Sequence, residues 1–399
     1  MVAALKSQPN LHSHALARKT TASGSAVTVA ARYADQVDKE GRFPVEAISA
    51  LKAEGRMSML VPPALGGEGA RFEDVMDLCY ALGGVCSSTA LIFAMHQVKV
   101  ACLVRHVNGN PWQEDFLRRL ARDQLLLASS TTEGQGGGNV RASAAPITTE
   151  GGQIGLERDA TVMSYGRQAD AVVTTARRTP DAEPADQVLA VFERADYRLE
   201  GSAGWDTLGM RGTDSAGFQF SAKGVPEQIV SETYSVVHAA SMVPAAHLFW
   251  SSVWAGIAAG AVERARLHTR KAMRLGGSPP GAAHLTQAMG LIQHLNAAIT
   301  ASLDHFEARS GDLEALMAPD FQTEIHLLKV EVSERATAAV LSALRACGLS
   351  GYRNDHQASL GRALRDILSA PLMINNDRIL ANLSASVLVS PMPSRLRGA

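Results

Sequence analysis

Between Leu126 and Gly166 the chain sets Thr132 and Glu133 just ahead of a glycine run, Gly136, Gly137 and Gly138. Strand-like apolar stretches flank this turn, with LLLASS before it and IGLERDATVMSYG after a polar insertion. Glycine has no side chain to hold a neighbour away, so such a loop suits close approach of the backbone to a bound ligand. A flat cofactor with polar edges is one ligand that requires this. The four cysteines, at positions 79, 86, 102 and 347, show no CxxC or metal-ligand spacing, so no metal site is expected. Their low number argues against a disulfide-stapled secreted scaffold and favours reduced thiols in the cytoplasm.

Three regions must position that loop. From Val27 to about residue 121 apolar residues recur at helical spacing, as in Phe43, Ile48 and Leu51 and in Val75, Leu78 and Leu82, with breaks at Pro62–Pro63 and Gly66–Gly67. Between about residues 123 and 227 the runs QLLLASSTT, DAVVTTAR, QVLAVFE and GFQFSA are short, β-rich and separated by turn residues. After Pro226 one helical face runs through Leu285, Met289, Ile292, Leu295, Ile299, Leu303 and Phe306, and another through Leu328, Val332, Ala336, Val340, Leu344 and Cys347. A third helix is expected from about His247 to Met273. The expected division is therefore an N-terminal helical domain (1–122), a central small β domain (123–240) and a C-terminal four-helix bundle (241–399), an α+β chain. The bundle's apolar faces are long enough to join subunits, as a homotetramer or homodimer.

With 46% apolar residues and a formal charge of −1, the chain can bury a large core and shows no basic face for nucleic acid or an anionic membrane. No uninterrupted apolar run reaches the ~18 residues of a membrane span. The start, MVAALKSQPNLHSHALARKTT, lacks a signal-peptide core and reads as a frayed terminus more than as a transit sequence.

In order along the chain, FPVEAISALKAEGRMSMLVPPALGGEGA, CSSTALIFAMHQ, SSTTEGQGGGNV, LERDATVMSYG, GWDTLGMRGTDSAGFQFSAKGVP, CGLSGY and SLGRALRD resemble successive segments of the acyl-CoA dehydrogenase superfamily of flavoproteins. Each is short; seven in order carry the resemblance. It covers everything after about residue 25. It implies bound FAD, or FMN in a monooxygenase of the same fold.

By that resemblance Thr132 and Glu133 offer backbone groups, and a hydroxyl, to the pyrimidine side of the flavin, with Gly138 where the family has a CoA-contacting serine. Ser164 falls where a hydroxyl bonds flavin N5, the atom that accepts hydride, and Val162 replaces an aromatic residue often stacked on the ring. Arg270 stands where a helix supplies an arginine to the pyrophosphate of a neighbouring subunit's FAD. Gly348, Gly351 and Tyr352 would make the adenine-side turn or a helix C-cap. Arg362, Arg365 and Asp366 match a terminal helix in which ion pairs and cofactor contacts both occur. Phe93, Trp250, Trp254 and Arg211 are the expected substrate neighbours, with bundle core as the alternative for the aromatics.

The family's usual glutamate, which removes the substrate α-proton while the β-hydride leaves for the flavin, is missing. Eight residues after Asp366 stands Ile374, and the alternative location on the long helix is Trp250. General-base catalysis contributes roughly 10²- to 10⁴-fold, so ordinary desaturation needs a substitute. Asp377 is the nearest carboxylate. Three readings follow. The first is α,β-dehydrogenation of an acyl thioester or related small molecule, with Asp377 or water as base and an electron-transfer partner. The second is a monooxygenase using oxygen and flavin C4a-hydroperoxide chemistry, with His96 of FAMHQ lining the site. The third is a non-catalytic binding protein on this fold.

Overall fold

The computed structural model describes residues 25–133, 140–276 and 280–389. The first domain consists of α1 (Ser25–Glu40), α2 (Val45–Ala53), α3 (Phe72–Gly83), α4 (Ser87–His106) and α5 (Pro111–Asp123). Asn110 caps α5 by accepting from the Trp112 and Gln113 N–H groups, and Pro111 fills its first turn. Nearly all of α4 is buried, so it runs through the centre of the molecule rather than over its surface.

Seven strands follow: β1 (Leu127–Ser130), β2 (Thr148–Glu150), β3 (Gln153–Ser164), β4 (Ala171–Arg177), β5 (Gln187–Glu193), β6 (Tyr197–Ala203) and β7 (Ser215–Gly224). They form two sheets, β1-β4-β5 and β2-β3-β7-β6. The apolar runs AVVTTA and QVLAVF are buried on both faces and make the inner sheet. The alternation in QIGLERDA puts only every second side chain of β3 inward, as an outer sheet requires. Pairing of β3 with β7 breaks between Ala160 and Met163, a bulge that turns the end of β3 toward the interior.

The helical remainder starts at Tyr234, within the region expected to be β domain. A short α6 (Tyr234–Val237) passes through a π-helical turn (His238–Met242) into α7 (Val243–Arg274). Then come α8 (Ala282–Arg309), α9 (Leu313–Met317), α10 (Pro319–Cys347), α11 (Leu349–Tyr352), α12 (Gly361–Ile367) and α13 (Asn376–Val389). Helices α7, α8 and α10 carry the expected apolar faces, although Met289 of the first face is exposed. Helix α3 crosses α7 at van der Waals distance between backbones. A Cβ on Gly256 would stand 2.2 Å from the Tyr80 carbonyl oxygen, so only glycine permits the crossing there. Two helical stretches, Ser87–His106 and Tyr234–Arg274, are long and apolar enough to cross a bilayer, but 89% and 83% of their most apolar windows are buried inside the protein. All four cysteines are free and buried.

Candidate functional site

A cavity of about 1380 Å³ lies where the three regions meet. Ligand sites span roughly 300–1,000 Å³, so this one has room for a flavin and a substrate together. Its walls come from Leu91, Met95 and Lys99 of α4, Thr131 to Glu133 after β1, and Val162 and Ser164 at the end of β3. The 205–215 loop, the π turn, and Trp250 and His326 of the bundle close it.

Ser164 starts a chain of hydroxyls. Its Oγ lies 2.8 Å from Ser215 Oγ, which lies 2.8 Å from Thr213 Oγ1, which donates to the Met210 carbonyl at 2.9 Å. A carbonyl only accepts, so with that bond made Ser215 donates to Thr213 and Ser164 to Ser215. Ser164 then turns lone pairs toward the cavity. Asp366 fixes the far end, its Oδ1 accepting from the Met210 N–H at 2.7 Å. Burial raises the Asp366 carboxyl above the usual carboxylate range, and the Met210 bond acts against that shift.

Thr132 and Glu133 both line the cavity, but the Glu133 carboxylate faces the protein. It accepts from the Ala144 and Ala145 N–H groups and stands 3.4 Å from the Arg158 guanidinium, both side chains being buried. Arg158 also donates to the Thr175 carbonyl. Glu133 is the one carboxylate among the described residues of the cavity wall, and the stretches outside that description contain no Asp or Glu.

Several expected site residues are elsewhere. His96 is fully buried with both ring nitrogens committed: Nε2 lies 2.7 Å from the Met57 carbonyl and Nδ1 accepts from the Leu127 N–H at 3.0 Å. It locks α4 to β1 and stays outside the cavity. Burial pushes its pKa down to about 4, so it is neutral. Asp377 is exposed in the first turn of α13, where a carboxylate favours the helix dipole, and it is not among the residues that line the cavity. Phe93 and Trp254 are core; the Lys329 ammonium sits 5.5 Å from the Trp254 ring centre. Trp250 is the expected aromatic that does line the cavity.

Arg211 braces the 205–215 loop to α1 instead of facing substrate, its Nε donating to the Asp38 carbonyl at 2.8 Å. Arg270 is exposed, twenty residues and so ~30 Å along α7 from Trp250. Gly348 takes φ 57° at the end of α10, and Gly351 packs on Cys347; neither borders the cavity. Gly138 lies outside the described residues. Arg365 borders the cavity but pairs with Asp38 at 2.9 Å, and Arg362 with Asp35 at 3.1 Å, so both serve as structural ion pairs.

A group that sequence reasoning missed occupies the wall facing α4. His238 sits on the π turn, His247 on α7 and His326 on α10, with His247 Nε2 2.9 Å from His326 Nδ1. Burial pushes His238 down to about 3, with His326, Arg141 and Lys99 acting in the same direction, His326 down to about 4, with Arg141, and His247 well below its ordinary value, with His326, Lys329 and His238. All three are neutral. The spacing of His247 and Trp250, three apart on one helix, was the available signal.

The chain matches the family model "Acyl-CoA dehydrogenase, N-terminal domain" over residues 13–124. Its first domain is thus similar to that of the acyl-CoA dehydrogenase superfamily, and the likeness to relatives extends over most of the chain. FMN-bound TdsC from Paenibacillus sp. A11-2 superposes with a TM-score of 0.78 at 18% identity, covering 93% of this chain and 98% of that one. The cyclohex-1-ene-1-carbonyl-CoA dehydrogenase of Syntrophus aciditrophicus is 26% identical over 92% of this chain and 87% of its own length. The dibenzothiophene monooxygenase of Mycolicibacterium goodii is 27% identical over 63% of this chain and 61% of its own. Superfamily members are flavin enzymes that use FAD, and the Paenibacillus protein carries FMN. The Ser164 hydroxyl, the backbone running past Thr132 and a cavity large enough for both ring and substrate fit a flavin.

Proposed function

We propose that this chain is a flavin-dependent monooxygenase acting on a small molecule, with Ser164 beside the reactive edge of the flavin. Reduced flavin supplies the electron pair with which dioxygen is activated for insertion of one oxygen atom. The observation that carries this reading is the cavity wall's lack of an available carboxylate, since Glu133 is spent on two backbone N–H groups and Arg158. Abstraction of an α-proton has no carboxylate to use, whereas oxygen insertion needs no such base.

The residues divide the work. Ser164, held by Ser215 and Thr213, orients the ring edge; Thr132 and its neighbours offer backbone groups; Leu91, Met95 and Trp250 exclude water; the neutral His247–His326 pair ties α7 to α10 behind them. FMN goes with this reading and FAD with dehydrogenation. The alignment with a cyclohexenecarbonyl-CoA dehydrogenase along most of the chain favours a second reading, oxidation of an acyl thioester.

Ser164→Ala is expected to weaken flavin retention or slow flavin reduction by roughly tenfold, the worth of one hydrogen bond; unchanged behaviour in both assays would remove Ser164 from the flavin's edge. A panel of acyl-CoA thioesters added without air is expected to leave the flavin yellow. Bleaching by any of them would favour the dehydrogenase, and Asp377→Asn is then expected to bleach at the same rate.

A further inference from the structure

The cavity wall contains a buried lysine that no ion pair compensates among the described residues. Lys99 of α4 is 4% exposed, and its ammonium has a single contact, Met242 Sδ at 3.5 Å, a weak acceptor. No carboxylate comes within ion-pair distance of it among the described residues. His238 feels the charge of Lys99, and the His247–His326 pair stands beyond it. His247, 2% exposed, leaves Nδ1 without a partner. Thus a buried cation in the cavity wall has a thioether as its contact, and a buried imidazole nitrogen on another helix of the same wall has none. A buried ammonium is costly to leave uncompensated, and removing its ligand does not remove that cost.

We propose that this end of the cavity binds an oxyanion on the substrate, a carboxylate or sulfinate carried on a small apolar body, with Lys99 as its counter-ion. This names the substrate class for the cavity and rests on the reading that the cavity is the substrate site. The apolar body then lies against Leu91, Met95 and Trp250. A free acid satisfies the wall, whereas a thioester, whose carbonyl is uncharged, leaves Lys99 unpaired.

Calorimetry on the flavin-loaded protein with benzoate, benzenesulfinate and the neutral benzamide tests this. At least one anion is expected to bind roughly 10- to 100-fold tighter than benzamide, the range for a hydrogen bond to a charged group, and the tighter anion identifies the headgroup. Lys99→Met, which keeps the length and removes the charge, is expected to abolish the preference; Lys99→Arg is expected to keep it. If Lys99→Met does not fold, Lys99→Gln takes its place with the same expected loss. Benzamide binding as tightly as both anions, a preference that survives loss of the lysine charge, or no binding of any of the three would overturn the proposal. Oxygen insertion is measured separately, so failure of the anion preference leaves the monooxygenase reading standing, and the reverse also holds.

Discussion

Glu133→Ala is expected to lower the stability of the folded protein by about 3–5 kcal/mol, the usual cost of removing one partner from a buried ion pair. The cost comes mainly from what remains. Arg158, 1% exposed at its side chain, would keep a buried charge with only the Thr175 backbone and hydroxyl to receive it, and the Ala144 and Ala145 N–H groups would lose their acceptor. Denaturant unfolding of wild type and variant checks this. Arg158→Met added to Glu133→Ala is expected to recover part of the loss by removing the stranded charge. A loss below about 1 kcal/mol, the value of an exposed pair, would contradict the brace. The effect extends to the site, because the same carboxylate fixes the backbone that enters the cavity at Thr132.

Acid is expected to unfold the protein over a narrow window. His96 and His106 are buried and neutral, each with its pKa pushed down to about 4, and His238 and His326 are held down to about 3 and about 4. In the unfolded chain a histidine takes its proton near pH 6.5. Between about pH 6.5 and 4 the unfolded state therefore binds more protons than the folded state, so stability rises with pH across that window and is lost as pH falls through it. A fully buried imidazole costs the fold on the order of 3 kcal/mol at the acid end of this window, and a less deeply buried one such as His106 less. The charges of His238 and His326 act on each other, so their costs do not simply add, but the total is a sizeable share of the roughly 5–15 kcal/mol by which domains are stable. A melting series from pH 8 to 4 is expected to be flat above about 7 and to fall steeply below 6.5. A melting temperature unchanged down to pH 4.5 would show that these histidines are protonated in the fold.

The sequence made the helices legible because a 3.6-residue period repeats over many turns, as in the face from Leu328 to Cys347. It placed the strands as a group but not their partners, since pairing of β1 with β4 joins residues far apart in the chain. The histidines show the limit most clearly. Helix α4 is buried on nearly every side, so periodicity gives no way to decide whether His96 faces the cavity or the β1 backbone. His238 was hidden for another reason: the π turn breaks the three- and four-residue spacing by which a helical face is recognised. Asp377 drew attention because it was the nearest carboxylate in the chain, but the bonds from the Lys329 ammonium to the Ile374 carbonyl at 2.7 Å and to Asn376 Oδ1 at 2.6 Å fix where α13 begins and leave Asp377 outside. The cavity's uncompensated lysine could be seen only once α4 and the bundle were brought together.

Whether oxygen or an acyl chain receives the flavin's chemistry decides the account. The most direct measurement supplies reduced FMN and ¹⁸O-labelled dioxygen to the protein together with small aromatic acids, and follows the label by mass spectrometry. One labelled oxygen atom in the organic product is the expected result. Product free of label, together with flavin bleached by an acyl-CoA in the absence of air, would contradict it.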